Sequence, residues 1–500
     1  MSDPKNSSAQ SERLAPSDLK IEARHHEWLR SALLLIAIWA GIYLPTLGTL
    51  ELKGEEGRRI LPGQTMLRTG DWIVPEIGGE DYTRKPPGIN WLAALSFKFT
   101  GVQNEWTARL PSVLGVLVLV LATFFLGKPW LGYGGSFAAA VFVMTNIGMM
   151  EKGRLLEIDA LYSVTTGLAI LLWLRGWFTG QTWWTWIGIG LIMAGGWLLK
   201  GPLQYLFFYL TVGAILWQAR EWRRLLHPAH FLSLLITGGL VALWWIPFQT
   251  QTAGEGARML SQLTNRMDGS DFHLTGWLLN IPRGLSNLLP WVVFLPLAWF
   301  PLRTDVPEKV AMLIRGLRWG VLIAFLGVSL APGSLPRYTM PLTLPIFGLF
   351  ALVLRWAVVP ENVWKIWRLA TGGGVGGLKT LAQRSGILMV ILVALYSFLI
   401  VPQLKKRSLW RVAGQDISRL IPGGDTLYAV DPGSQPVFFY VTAPTTFIDR
   451  VENLPPQARF VMARGKTIGE LREKHPGFQQ IFSYKDRGGK ESIIGDLQGP

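Results

Sequence analysis

Residues 89–100 read INWLAALSFKFT, and how this stretch is taken decides the topology of the whole chain. It is apolar, yet only a dozen residues long and interrupted by Lys98. A bilayer core takes roughly 20 helical residues, and runs of about 10–14 lie at an interface or re-enter rather than cross. The stretch is therefore expected to be an interfacial helix, which leaves residues 51–108 as one long external loop.

The rest of the topology follows by counting outward from this segment. The apolar stretch Ser31–Leu50 precedes the loop without a small-residue cleavage site, so it reads as a retained anchor rather than a signal peptide. Further spans are expected near 109–127, 133–150, 160–178, 183–199, 203–218, 231–248, 287–301, 319–332, 338–358 and 385–402. That makes about eleven transmembrane helices, thirteen at most. Residues 1–30 are then a cytosolic tail, and 31–402 a transmembrane domain. The clusters Arg220/Arg223/Arg224, Arg303/Lys309/Arg315/Arg318 and Lys365/Arg368/Lys379/Arg384 fall on the tail's side, as positive-inside topology requires. Residues 151–159, 249–286 and 403–500 emerge on the other face.

Composition agrees with a polytopic chain. Half of the 500 residues are hydrophobic and 16% are charged, against about 25% in ordinary soluble domains. The 24 Trp and 55 Gly fit membrane helices and their interfaces. The net charge of +15 belongs to cytosolic loops and anionic headgroups, since no run resembles a nucleic-acid-binding module. The lack of Cys removes disulfides and thiolate metal sites. The six His never take metal-binding HExxH spacing, and GGGVGGLKT (372–380) has Leu378 where a P-loop needs glycine before its lysine.

Residues 403–500 change character. TLYAV (426–430), VFFYV (437–441), RFVMA (459–463) and FQQIFSY (478–484) read as short strands, and IGELREKH (468–475) as a helix. A small extracytoplasmic α/β domain is expected.

The chemistry concentrates in the first external loop, GEEGRRILPGQTMLRTGDWIVPEIGGEDYTRKPPGINW (54–91). Glu55 and Glu56 stand beside Arg58 and Arg59. Pro86 and Pro87 fix the backbone just after Lys85, holding a cation at the entrance of the interfacial helix, at a depth that suits a lipid-linked phosphate. A carboxylate facing it suits a base that takes a proton from a hydroxyl. The plainer alternative is a solvated loop with local ion pairs. A second segment, EKGRLLEID (151–159), ends on Asp159 at the start of an apolar helix, where it either caps the helix or faces the same site.

In order along the chain stand Glu55-Glu56-x-Arg58, Gly70-Asp71-Trp72, Tyr82-x-x-Lys85-Pro86-Pro87, Arg109-Leu110-Pro111-Ser112 and Asp159-Ala160. Leu199-Lys200-Gly201-Pro202, Leu289-Pro290-Trp291 and Arg337-Tyr338-Thr339-Met340-Pro341 follow. Together they resemble the membrane glycosyltransferases of the GT-C superfamily, on the branch of the bacterial lipid A aminoarabinose transferases, with protein O-mannosyltransferases more distant. The resemblance covers roughly residues 30–350. It implies transfer of a sugar from a polyprenyl-phosphate donor to a lipid, glycan or protein acceptor on the extracytoplasmic face of an inner membrane. Glu55, Glu56 and Asp159 fall on its catalytic acidic positions. Lys85, Arg58, Arg266, Arg337 and Tyr338 fall on donor-phosphate positions.

The chain also departs from that pattern. Glu55 stands where the family usually has Asp, Arg59 where it has Tyr, and Arg84 where relatives carry an acidic residue associated with zinc. No metal or other cofactor is therefore expected, and no nucleic-acid partner. A transporter or flippase of lipid-linked sugars, or a non-catalytic family member, is the competing reading.

Overall fold

The computed structural model describes residues 16–257, 259, 261, 274–359, 377–433, 435–486 and 489–498, with side chains from residue 26 onward. Arg266 and the glycine run 372–376 lie outside the described residues. The chain is mainly helical. Helix α1 (Pro16–Tyr43) is followed by α2 (Glu56–Thr69), a short hairpin of β1 (Glu76–Ile77) and β2 (Glu80–Asp81), and α3 (Gly88–Thr100). Then come α4 (Glu105–Leu126), α5 (Lys128–Thr145), α6 (Ile147–Lys152), α7 (Ile158–Thr179), α8 (Trp183–Lys200), α9 (Gln204–Ala219) and α10 (Pro228–Gln251).

Among the described residues, six helical segments are long and apolar enough to cross a membrane: α4, α7, α10, Glu308–Leu330, Pro336–Trp356 and Gly377–Leu420. A seventh is available if the bent pair Leu274–Ser286 and Trp291–Trp299, which meet at 98°, counts as one broken span. Every segment read as a span from the sequence lands on a helix or on this bent pair, but α5, α8 and α9 have only 18, 18 and 16 residues.

Helix α3 is the segment INWLAALSFKFT with one residue added in front. Its 13 residues rise about 20 Å at ~1.5 Å each, short of a hydrocarbon core about 30 Å thick. Gly101 ends it in the left-handed conformation (φ 70°), its N–H returning to the carbonyl of Phe97. The next helix starts at once. Asn104 Oδ1 accepts from Thr107 N at 2.9 Å, and Thr107 Oγ1 accepts from Asn104 N at 3.1 Å, a reciprocal cap that fixes the first turn of α4. That turn carries Glu105, and Arg109 follows one turn later.

The C-terminal part forms a five-stranded sheet in the order β4-β3-β5-β7-β6: β3 (Leu427–Val430), β4 (Thr445–Ile448), β5 (Phe460–Arg464), β6 (Gln479–Lys485) and β7 (Glu491–Asp496). β3 is parallel to β4 and β5, while β7 runs antiparallel to β5 and β6. Two expectations need correction here. VFFYV is not a strand: Pro436 opens a 3-10 turn over Pro436–Phe439, because proline sets φ and removes a donor a ladder would need. The neighbour of β3 is instead Thr445–Ile448, and Glu491–Asp496 is a strand that the alternation left unmarked.

The sheet does not stand apart from the loop between α1 and α4. Leu61, Ile77 and Tyr82 of the loop share a core with Ile417, Leu427, Phe447, Met462 and Ile494. Gly78 and Gly79 (φ 64° and 90°) form the hairpin turn between β1 and β2, as a two-residue turn with both φ positive demands. Phe447 N donates to Gly78 O at 2.7 Å, and a Cβ on Gly78 would lie 2.3 Å from the Phe447 ring, so glycine is the only residue that fits.

Candidate active site

Glu56 is completely buried and organises the loop. Its Oε1 accepts from Arg109 Nε at 2.8 Å and from Leu156 N at 3.0 Å, while Oε2 accepts from Arg109 Nη2 at 2.8 Å and Lys53 N at 2.9 Å. Arg109 spends its remaining donors on the carbonyls of Leu47, Leu50 and Glu51. A guanidinium has five N–H donors, and these contacts use them all. The end of α1, the start of α2, the first turns of α4 and the approach to α7 are thereby fastened at one point. Glu56 is saturated by protein groups, whereas its neighbour Glu55 is about one-third exposed.

Glu55 accepts from Arg58 Nη1 at 3.1 Å and pairs with Arg59 Nη2 at 3.3 Å. Arg59 also donates to the hydroxyl of Tyr82 at 2.7 Å. Arg59, the residue that departs from the family pattern, therefore bridges Glu55 to the segment Tyr82-Thr83-Arg84-Lys85. Asn90, in the first turn of α3, donates to Arg59 O at 2.8 Å. Lys85 is half-buried at the entrance of α3. Three residues on, Gly88 sits against the end of α8, where an added Cβ would come within 2.6 Å of Leu198 O.

At that same end of α8 stands Lys200. Its Nζ reaches Asp159 Oδ1 at 2.5 Å, and Arg337 Nε lies 3.3 Å from Asp159 Oδ2. The ammonium also sits 4.3 Å from the ring centre of Tyr338 and 5.5 Å from that of Tyr162, at cation–π range. Asp159 occupies the first turn of α7 without capping it; the residue at the cap position is Glu157, which pairs with Lys152 at 3.0 Å. Burial raises the Glu157 carboxyl above the ordinary glutamate range, and Lys152 opposes that rise.

The structure thus gathers Asp159, Arg337 and Tyr338, and Lys200 joins them. The sequence motif had marked Lys200 without giving it a role. Arg154, five residues before Asp159, donates to Pro45 O and to Thr46 Oγ1, and the cations beside Asp159 are Lys200 and Arg337. Arg109 and Lys200 were visible only as members of quoted motifs, because their partners lie 53 and 41 residues away.

Residues 84–246 match the family model of the dolichyl-phosphate-mannose-protein mannosyltransferases. An undecaprenyl phosphate-α-4-amino-4-deoxy-L-arabinose arabinosyl transferase 2 of Pseudomonas fluorescens Pf0-1 is 28% identical over 322 residues, covering 63% of this chain and 57% of that protein. The corresponding arabinosyl transferase of Pseudomonas aeruginosa UCBPP-PA14 is 28% identical over 350 residues, 67% of this chain and 60% of that one. Each alignment covers less than two thirds of the relative's length. The crystal structure of ArnT from Cupriavidus metallidurans bound to undecaprenyl phosphate superposes with a TM-score of 0.72, covering 93% of this chain and 97% of that one at 14% identity.

The chain shares the fold of that ArnT structure. The superposition covers 93% of the chain, so the shared fold reaches into the C-terminal sheet as well as the helices. The resemblance read from residues 30–350 alone had stopped short of that sheet.

Proposed function

We propose that this chain transfers a sugar from a polyprenyl-phosphate donor to an acceptor at the extracytoplasmic face of an inner membrane. One observation carries the reading. Glu56 holds the loop with Glu55 against the approach to Asp159, through its hydrogen bond from Leu156 N, while Arg59 and Tyr82 connect Glu55 to the Lys85 segment. Carboxylates and cations a hundred residues apart are thus supported by a single scaffold. The relatives, undecaprenyl phosphate-α-4-amino-4-deoxy-L-arabinose arabinosyl transferases by name, fit the same chemistry.

In this reading Glu55 deprotonates or orients the acceptor hydroxyl, and transfer proceeds with inversion. Lys85 and Arg58 meet the departing lipid phosphate, where preorganised cations act on charge that develops during the reaction. Asp159 shapes the sugar side, held by Lys200 and Arg337. Arg337 and Tyr338 are weaker phosphate contacts, and Arg266 remains a candidate of the same kind. Glu56 contributes through the scaffold. An activated lipid donor calls for no ATP or redox cofactor.

The proposed topology has about eleven spans, a cytosolic N-terminus and an external C-terminal domain from residue 403. Glu55 precedes α2, Asp159 lies in the first turn of α7 and Lys200 in the last turn of α8. Charges at helix ends suit a site at the membrane surface, whereas transporters place ionisable groups near the midplane. Mass spectrometry of lipid, glycan and protein from cells with and without the gene tests the reading: a pentose- or hexose-sized mass lost from one fraction supports it. Identical profiles in all three would sink it.

A further inference from the structure

Two arginines flank Glu55 at the start of α2, three and four residues after it, and they differ in burial. Arg58 lies on the exposed side, 3.1 Å from Glu55 Oε1, with a third of its side chain open to solvent. Arg59 is buried and reaches Oε2 at 3.3 Å. Its other terminal nitrogen donates to the Tyr82 hydroxyl, and its backbone carbonyl accepts from Asn90. Tyr82 and Asn90 are themselves buried, and they stand on either side of Lys85 in sequence. Arg59 is thus fixed at both ends on the segment that carries Lys85. Glu55 is its only carboxylate partner among the described residues, and Arg59 Nε is buried without a hydrogen-bond partner among them. A buried charge with a donor left over is a costly way to pack a helix. An apolar side chain of similar volume is commonly as stable or more so. Stability therefore does not account for an arginine at this position.

We infer that Arg59 is a positioning residue for the transfer reaction, holding the Glu55 carboxylate at a fixed place relative to Lys85 while Arg58 turns to the substrate. The inference rests on the glycosyltransferase reading and adds a division of labour between adjacent arginines. Arg58 is exposed enough to leave Glu55 for the donor phosphate. When it does, a long glutamate side chain that makes no cap bond to its own helix keeps one cation, Arg59. The guanidinium fork grips Oε2 and leaves Oε1 to take the proton of the acceptor hydroxyl. The same fork bonds Tyr82, three residues before Lys85, so base and donor contact keep their spacing. Reaction rates are sensitive to displacements of about 1 Å. Arg59 itself touches no substrate in this arrangement; it acts through Glu55.

The test uses the full chain in membranes. Undecaprenyl-phosphate-linked sugars extracted from the producing cells are the titrated donor, and release of undecaprenyl phosphate is the readout. Arg59→Met keeps the length of the side chain and removes its charge. It should lower kcat about a hundredfold, the loss that a displacement of about 1 Å brings. Donor KM should stay that of the wild type, as for an interaction made in the transition state alone, and the melting temperature should not fall. Tyr82→Phe should move kcat in the same direction by a smaller factor. Arg59→Lys should recover only part of the rate, since an ammonium lacks the fork that bonds both partners. A wild-type kcat in Arg59→Met, a change confined to donor KM, or a loss of rate that follows a loss of melting temperature overturns the role. Glu55 is also followed directly, by carbodiimide labelling of its carboxyl and mass spectrometry of the tryptic peptide 54–58. Labelling should be faster in Arg59→Met than in the wild type, and equal labelling overturns the positioning. If the wild type releases no undecaprenyl phosphate, the glycosyltransferase reading fails, and labelling alone then decides whether Arg59 holds Glu55.

Discussion

Glu56 and Leu156 stand a hundred residues apart, and the carboxylate of the first accepts the backbone N–H of the second at 3.0 Å. The same carboxylate is clamped by Arg109, so the loop between α1 and α4 and the entrance of α7 are held by one buried ion pair. Adjacent glutamates therefore have separate duties. Glu56 has no exposed surface and a full set of partners, while Glu55 keeps an accessible face beside Arg58 and Arg59.

Breaking that pair should show in stability before anything else. Removing one partner of a buried salt bridge costs about 3–5 kcal/mol, since the other charge is left buried and alone. Glu56→Ala and Arg109→Ala should both lower the thermal midpoint in detergent sharply and reduce yield. A Glu56→Ala protein that melts like the wild type but transfers no sugar would return Glu56 to a direct chemical role.

Lys85→Ala should leave the melting temperature near that of the wild type, because the residue is only half-buried. Its effect should appear in affinity for undecaprenyl phosphate, weakened by about tenfold or more, as expected for loss of a hydrogen bond to a charged group worth about 1.5–3 kcal/mol. Equal affinity in both proteins removes Lys85 from the donor site.

The C-terminal sheet is anchored to the loop by a polar junction. Glu51 accepts from the N–H groups of Trp410 and Arg411 at the start of the helix Trp410–Leu420, a site where the dipole favours a carboxylate. Arg411 and the Tyr440 hydroxyl both donate to Glu105, and Leu52 N donates to Tyr440. Arg411→Ala should therefore loosen the sheet from the loop. Faster limited proteolysis between residues 403 and 426, with the membrane part intact, is the expected result; an unchanged cleavage pattern means the apolar core alone suffices.

A pH effect is expected where the hairpin meets the sheet. Burial, then the nearby Asp449 and Asp431, raise the Glu80 carboxyl above its ordinary range. Because the folded state holds that proton more tightly than the unfolded chain, the contribution to stability is present at lower pH and fades as pH rises through the raised value. Amide hydrogen exchange at residues 75–82, corrected for its intrinsic pH dependence, should accelerate on going from about pH 5 to about pH 7. Asp449→Asn should flatten the change. A pH-independent hairpin, or a variant that behaves like the wild type, contradicts this.

Long apolar runs made the helices legible, and the short run 89–100 became α3 almost to the residue because its length alone forbids a span. Strands around 427–430, 460–464 and 479–485 were legible from β-branched and aromatic residues. The 437–441 segment was not: its aromatics face two sides of a turn that Pro436 begins, and Tyr440 is placed by Glu105, 335 residues away. Local pattern cannot carry such a contact. Residue types and motif order singled out Glu55, Lys85 and Asp159 as candidates, and Arg58 and Arg59, near in sequence, do pair with Glu55, but the cations beside Asp159 were not legible. Arg154 is the nearer cation in sequence, while the fold supplies Lys200 and Arg337 from other helices.

The central claim is that Glu55 and Asp159 serve one transfer reaction, and the most direct measurement is sugar transfer by purified Glu55→Gln and Asp159→Asn proteins. Each substitution keeps the size of the side chain and removes its charge, and Asn serves a helix start nearly as well as Asp. The account predicts that each variant stays folded and binds undecaprenyl phosphate, yet transfers no sugar from a polyprenyl-phosphate donor. Wild-type transfer by the double variant would contradict it.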